Sequence, residues 1–122
     1  MAQSVIVFEK DPRVARYLAL GLRPHFSVHL IQSREELRER LSGKHPEVVV
    51  LDIEDCRLTE IANLHRDFPG LPIVCTHRIP DEEMWMAALE AGASDVCPAD
   101  DVGTVLTSVL RSMALSRGTA AA

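Results

Sequence analysis

The chain is poor in lysine, poor in aromatic residues and without any long apolar run. Its 122 residues include two lysines, Lys10 and Lys44, and one tryptophan, Trp85. No stretch approaches the roughly 20 apolar residues that a membrane-spanning helix needs. The N-terminus has no basic segment leading into an apolar one, so no signal peptide is expected. Cysteine is scarce and odd in number: Cys56, Cys75 and Cys97 have no metal-ligand spacing and read as free thiols in a reducing cytoplasm. A net charge of −5 gives no overall basic balance with which to hold nucleic-acid phosphates, although a local basic patch stays open. With 47% apolar and 25% charged residues, the composition is that of one ordinary globular domain.

The segment Pro46-Glu47-Val48-Val49-Val50-Leu51-Asp52 carries the most information. Four consecutive apolar residues, three of them β-branched, are too short for an independent helix and suit a strand buried on both faces. Such strands belong to the centre of parallel sheets, where ligands bind beyond the carboxyl ends. Asp52 closes the run at that end. It is a candidate site residue, or else a solvated acid at a strand end.

Similar signals recur along the chain. Val5–Phe8 is a second short apolar run, followed by Glu9-Lys10-Asp11 and by Pro12, which suits the first turn of a helix capped by Asp11. Val14, Tyr17, Leu18 and Leu22 repeat at helical spacing up to Pro24. Val28 and Leu30 alternate with polar residues, as in a strand covered on one side. Ser33-Arg34-Glu35-Glu36 is a capping box, and Leu37 and Leu41 extend its helix to Gly43. A third helix is predicted near Leu58–Phe68, a fourth strand at Leu71–Thr76, a fourth helix from Pro80-Asp81 to Ala91-Gly92 and a fifth strand at Ser94–Pro98. A last helix carries Val102, Val105, Leu106, Val109, Leu110 and Met113. Residues 1–116 form the domain, and 117–122 are expected to be a flexible tail or the start of a linker. Five β-α repeats predict a parallel sheet with helices on both faces and right-handed crossovers.

With those elements in place, the chain resembles the receiver domain of two-component response regulators over about residues 4–115. The likeness rests on the acidic cluster after strand one, Asp52 ending strand three, Pro72 opening strand four, and Ala91-Gly92-Ala93-Ser94-Asp95 before strand five. It implies an α/β, flavodoxin-like, doubly wound five-stranded sheet in the order 2-1-3-4-5. It also implies that Asp52 stands at the phosphoacceptor position. In that family, neighbouring acids hold Mg²⁺, a lysine neutralises the transferred phosphoryl group, and a Ser or Thr bonds it.

The chain departs from this pattern at most helper positions. The acid pair falls on Glu9 and Lys10; a lysine there repels a cation and is placed to pair with Asp52 itself. Asp11 caps the first helix or bends inward. Counting five residues from Pro72 puts the hydroxyl position on His77, which either touches Asp52 as a donor or sits exposed in the loop. The lysine position falls on Ala99 and the aromatic switch on Val96. Glu54 stands where a backbone carbonyl would ligate the metal, and the extra carboxylates of Glu54 and Asp55 disfavour an incoming dianion.

The resemblance with these departures suggests an atypical receiver, or pseudo-receiver, and not an enzyme. It would signal through a protein partner, a sensor kinase or effector domain. No cofactor is expected; weak Mg²⁺ binding stays open, with Glu9 and Asp52 as metal ligands if a divalent site survives. The alternative is a phosphorylatable receiver in which Asp52 accepts phosphate from a histidine kinase. A third possibility, a metal protein using Glu9, Asp52 and His77, requires those three side chains to meet. The interaction face would be the fourth helix, fifth strand and fifth helix. There Trp85 and Leu89 lie four apart, either presented to a partner or, for Trp85, folded over the sheet edge. Family habit adds a possible homodimer through the same face. No membrane or direct nucleic-acid contact is expected.

Overall fold

The computed structural model describes residues 3–43 and 46–121. Ten elements alternate without exception: β1 (Ser4–Phe8), α1 (Pro12–Leu22), β2 (Ser27–Ile31), α2 (Arg34–Gly43), β3 (Val48–Asp52), α3 (Leu58–Asp67), β4 (Ile73–His77), α4 (Glu82–Ala91), β5 (Asp95–Pro98) and α5 (Val102–Ala121). The strands form one parallel sheet in the order β2-β1-β3-β4-β5. This is the predicted flavodoxin-like topology.

β3 sits at the centre and every one of its residues is buried. The β-branched run Val48-Val49-Val50 therefore splits its side chains between two cores. Val49 and Leu51 pack with Ile6, Ile61, Leu64 and Ala88 on one face of the sheet. Val48 and Val50 pack with Val5, Leu18, Val105 and Val109 on the other. Burying a leucine or valine side chain contributes about 1.5–3 kcal/mol, so a strand that feeds both layers is fixed in register more firmly than one covered on a single face. That is why Asp52, at its end, is placed so reproducibly by the fold.

The local signals act as expected at the helix ends. Asp11 Oδ1 accepts the Arg13 N–H at 2.9 Å, and Asp81 Oδ1 accepts from Glu83 and Met84. Ser33 Oγ accepts the Glu36 N–H, and Glu36 returns to the N–H of Gln32, one residue earlier than a standard box. Gly92 ends α4 at φ 123°, where a side chain would be strained; a Cβ there would also lie 2.5 Å from the ring of His65 on α3.

One expectation needs correction. Leu30 was assigned to a covered face, but it is 38% exposed because β2 is the sheet's edge strand.

Candidate functional site

Three connections meet at the carboxyl end of β3. Glu9 follows β1, Asp52 ends β3, and residues 53–57 turn back over it. The Asp52 carbonyl accepts the N–H groups of Asp55 and Cys56 at 3.2 and 3.0 Å. This turn brings Asp55 to face Glu9 and Asp52. One carboxylate oxygen from each of the three acids lies within 4.8 Å of the others.

Glu9 and Asp52 are each only 1% exposed. Glu9 Oε2 accepts the Asp11 N–H at 3.1 Å, and Asp52 Oδ1 accepts the Glu54 N–H at 2.7 Å. Their remaining oxygens, Glu9 Oε1 and Asp52 Oδ2, are buried and accept no hydrogen bond. Two carboxylates this close and this dry do not both ionise freely. Burial, reinforced by the neighbouring Glu9 and Glu54, pushes Asp52 up to about 8. Burial also raises Glu9, against the opposing effect of its contact with Asp52. Both carboxyls are therefore held above their ordinary values.

The cation at this site is Arg78, the first residue after β4. Its Nε lies 3.3 Å from Asp52 Oδ2, a contact of charge without hydrogen-bond alignment. Its two terminal nitrogens reach toward Asp11 Oδ2 at 3.8 Å and Asp55 Oδ1 at 3.9 Å. The guanidinium thus spans acids from two different loops. Asp52, first among its partners, raises the pKa of Arg78. Arg78 does not bring Asp52 down in return, because a guanidinium 41% exposed counts for less than burial and two adjacent carboxyls.

Glu54 holds Arg78 in place through the backbone. Its Oε1 accepts the N–H of Arg78 at 2.7 Å and of Ile79 at 2.9 Å. Burial works against the Glu54 charge, but its contact with Asp52, these two N–H groups and Arg78 outweigh it and hold its pKa below the usual carboxylate value. The β3–α3 and β4–α4 connections are therefore clamped together.

Several sequence-predicted residues fall elsewhere. Lys10 was expected to pair with Asp52; its side chain is exposed and makes no ion pair, and only its backbone N–H reaches Asp55 Oδ2 at 3.3 Å. The reason is alternation: Glu9 turns inward, so its neighbour turns out. His77 bonds neither Glu9 nor Asp52. Its ring lies beside Trp85 with centroids 6.3 Å apart, and its Nδ1 is buried without a partner. The Glu9, Asp52 and His77 metal set is therefore not assembled among the described residues. Thr76, paired with Asp52 across the sheet, is buried with its Oγ1 3.5 Å from the Leu51 carbonyl. Val96 and Ala99 are buried, and neither offers a polar side chain to the site. Asp11 serves as the helix cap and also faces Arg78.

Trp85 is 43% exposed, and beside it Met86 and Leu89 are 58% and 38% exposed. The inward side of α4 is Met84, Ala88 and Ala91, which pack on the core. The exposed alternative for Trp85 is the one adopted.

Arg78 was the residue missed, and Asp55 was read only as an extra carboxylate, not as a member of the group of acids that meet. Period-two alternation carries a signal for the first: Thr76 pairs with Asp52, so two positions on, Arg78 returns to the same face. Asp55 depends on how a five-residue turn closes, and its sequence context has no motif for that.

The donor set at the acids is of the kind a small divalent cation uses: three carboxylates, two of which have a buried oxygen without a hydrogen bond. Against it stands the guanidinium already placed there.

Comparison with known proteins agrees with the architecture. No protein-family model matches the sequence, and no curated protein sequence matches it. Solved structures do match. The N-terminal signal receiver domain of a two-component system response regulator from Bacteroides fragilis superposes with a TM-score of 0.83 at 25% identity, over 93% of this chain and 98% of that one. A response regulator from Thermotoga maritima gives 0.84 at 17% identity, over 93% and 99%. An orphan response regulator of H. pylori gives 0.79 at 16% identity, over 91% and 96%.

Proposed function

From its receiver-domain fold, we propose that this chain is a signalling module of the two-component type that acts through protein–protein contact and is not efficiently phosphorylated in a Mg²⁺-dependent way. The observation that carries this reading is the guanidinium of Arg78 against Asp52 Oδ2 at 3.3 Å. The acceptor position already has a cation, supplied by the chain.

Aspartyl phosphorylation needs a carboxylate that attacks and cations that neutralise the incoming group. Burial holds Asp52 above the ordinary carboxylate value, which disfavours the ionised form that attacks. Asp55, Glu54 and Asp11 surround it with further negative charge. Among the described residues no lysine side chain reaches the site: Lys10 is exposed, and Ala99 stands at the position where the resemblance expects one. Loss of a charge-stabilising donor costs about 3–4 kcal/mol of barrier lowering, as for removed oxyanion donors. Glu9, Asp52 and Asp55 would hold a divalent ion, and the chemistry it would supply is neutralisation of charge at the acceptor.

The output face in this reading is α4 with β5 and α5, with Trp85 and Leu89 at its centre and a sensor kinase or effector domain as the partner. Exposed tryptophan beside leucine and methionine suits an interface anchor. A homodimer through the same face is tested by sedimentation at several concentrations. Cytoplasmic placement and the absence of catalysis belong to the same proposal; no helix among the described residues is long and apolar enough to cross a membrane.

The Glu9–Asp52–Asp55 set favours one second reading, a phosphorylatable receiver with a modified site. Intact-mass spectrometry after incubation with acetyl phosphate and Mg²⁺ decides between them. The expected result is no stoichiometric phosphoryl adduct. An adduct that forms fully and is lost in Asp52→Asn would establish the second reading instead.

A further inference from the structure

We propose that Arg78 is a resident counter-ion that competes with a divalent cation for Asp52 and Asp55, and that Glu54 transmits the outcome to Trp85. The inference uses the acidic site described above but concerns the side chains of Arg78 and Glu54, to which the resemblance gives no role.

The competition follows from shared atoms. Asp52 Oδ2, one of the two buried carboxylate oxygens of the recess without a hydrogen bond, is the atom nearest the guanidinium. Asp55 belongs both to the group of acids that could hold a cation and to the partners of Arg78. Glu9 Oε1, buried and also without a bond, faces the same recess. A cation coordinated by these oxygens and a guanidinium 3.3–3.9 Å from two of the same acids repel each other directly. One displaces the other. Arg78 is able to move, because its side chain is 41% exposed and makes only long contacts.

The transmission follows from the backbone. The guanidinium moves on a fixed backbone, since the N–H groups of Arg78 and Ile79 are both bonded to the Glu54 carboxylate. Glu54 in turn is bound to the acceptor through its own N–H on Asp52 Oδ1 at 2.7 Å. Displacing the guanidinium therefore loads a segment anchored at both ends. That segment leads directly into α4, and the residue before Arg78, His77, has its ring against Trp85. Trp85 is the natural reporter of the exchange.

The test uses the full chain with Mn²⁺ as probe, read by titration calorimetry and, in parallel, by Trp85 emission and amide NMR shifts. Arg78→Ala is expected to tighten Mn²⁺ binding about tenfold by removing the competing charge. Arg78→Gln, which keeps the side chain's length and polarity, gives the same direction if the alanine variant folds poorly. Glu54→Ala, which removes the acceptor of the Arg78 and Ile79 N–H groups, is expected to retain binding while losing most of the Trp85 and α4 amide response. Unchanged or weaker binding in both Arg78 variants overturns the competition, as does absence of binding in all chains. A full Trp85 and α4 amide response in Glu54→Ala overturns the transmission. Phosphorylation of Asp52 would end the functional reading above without altering these metal-binding outcomes, so the two fail separately.

Discussion

The two loops that overlook Asp52 are held in opposite ways. The β4–α4 loop is fastened by charge: Glu54 grips the N–H groups of Arg78 and Ile79, and Arg78 faces Asp52, Asp55 and Asp11. The β5–α5 loop is fastened by a neutral bridge, the Tyr17 hydroxyl, which donates to the Asp100 carbonyl at 3.0 Å and accepts the Val102 N–H at 3.1 Å. One loop is wired into the acidic recess and the other is tied to α1. The difference teaches where the cationic function of this site resides. A receiver expects its lysine from the fifth strand; here Ala99 leaves that side neutral, and the positive charge arrives from the fourth.

That contrast can be broken at several points, with effects of decreasing size. The largest is expected at Asp52. Its pKa in the fold, about 8, lies above the ordinary 3.8, so the folded state keeps a proton that the unfolded chain gives up. Stability from this group is complete below pH 4, falls as pH rises toward 8, and levels off above it. Asp52→Asn should remove that decline and be the more stable protein near pH 9 by about 2 kcal/mol. Urea denaturation of both proteins from pH 5 to 9 checks this; parallel curves would contradict it.

Next comes the clamp. Glu54→Ala leaves two loop N–H groups without their acceptor, and is expected to cost about 1–2 kcal/mol, less than for buried charged bonds because the site is solvent-accessible. Hydrogen exchange should speed up at Arg78 and Ile79 and stay unchanged at Val102. Tyr17→Phe is the mirror experiment. Its loss of a bridging hydroxyl should cost about 0.5–1 kcal/mol, with faster exchange at Val102 alone. Cross-over of either effect into the other loop would dissolve the distinction. The smallest effect is expected from Trp85→Ala, within about 0.5 kcal/mol as for exposed sites free of special features. Binding of a protein partner, measured by affinity chromatography or calorimetry, should suffer far more than stability.

Much of this was legible in the sequence where local chemistry decides the outcome. The β-branched run ending in Asp52 specifies a central strand because only a doubly covered position buries it all. Asp11 before Pro12 and Asp81 before Glu82-Glu83 mark helix starts because their carboxylates match free N–H groups. The recess was legible only in outline. Glu9 and Asp52 lie buried in the same group of acids, while Lys10 was assigned inward although its neighbour's burial turns it out. Arg78 was missed because its partners come from Asp11, Asp52 and Asp55, separated along the chain and joined only when the loops close. His77 was assigned to the acids by counting, and the strand's alternation carried it instead to the α4 side, next to Trp85.

In the proposed reading the site at Asp52 is closed to a phosphoryl group by the chain's own cation, Arg78. Amide NMR of the Mg²⁺-saturated protein, titrated with beryllofluoride as a mimic of aspartyl phosphate, tests it, with Asp52→Asn as control. Adding beryllofluoride is expected to cause shifts no larger in the native chain than in the control. Saturable shifts that require beryllofluoride, spread from Asp52 through Arg78 to α4 and are absent in Asp52→Asn would contradict it.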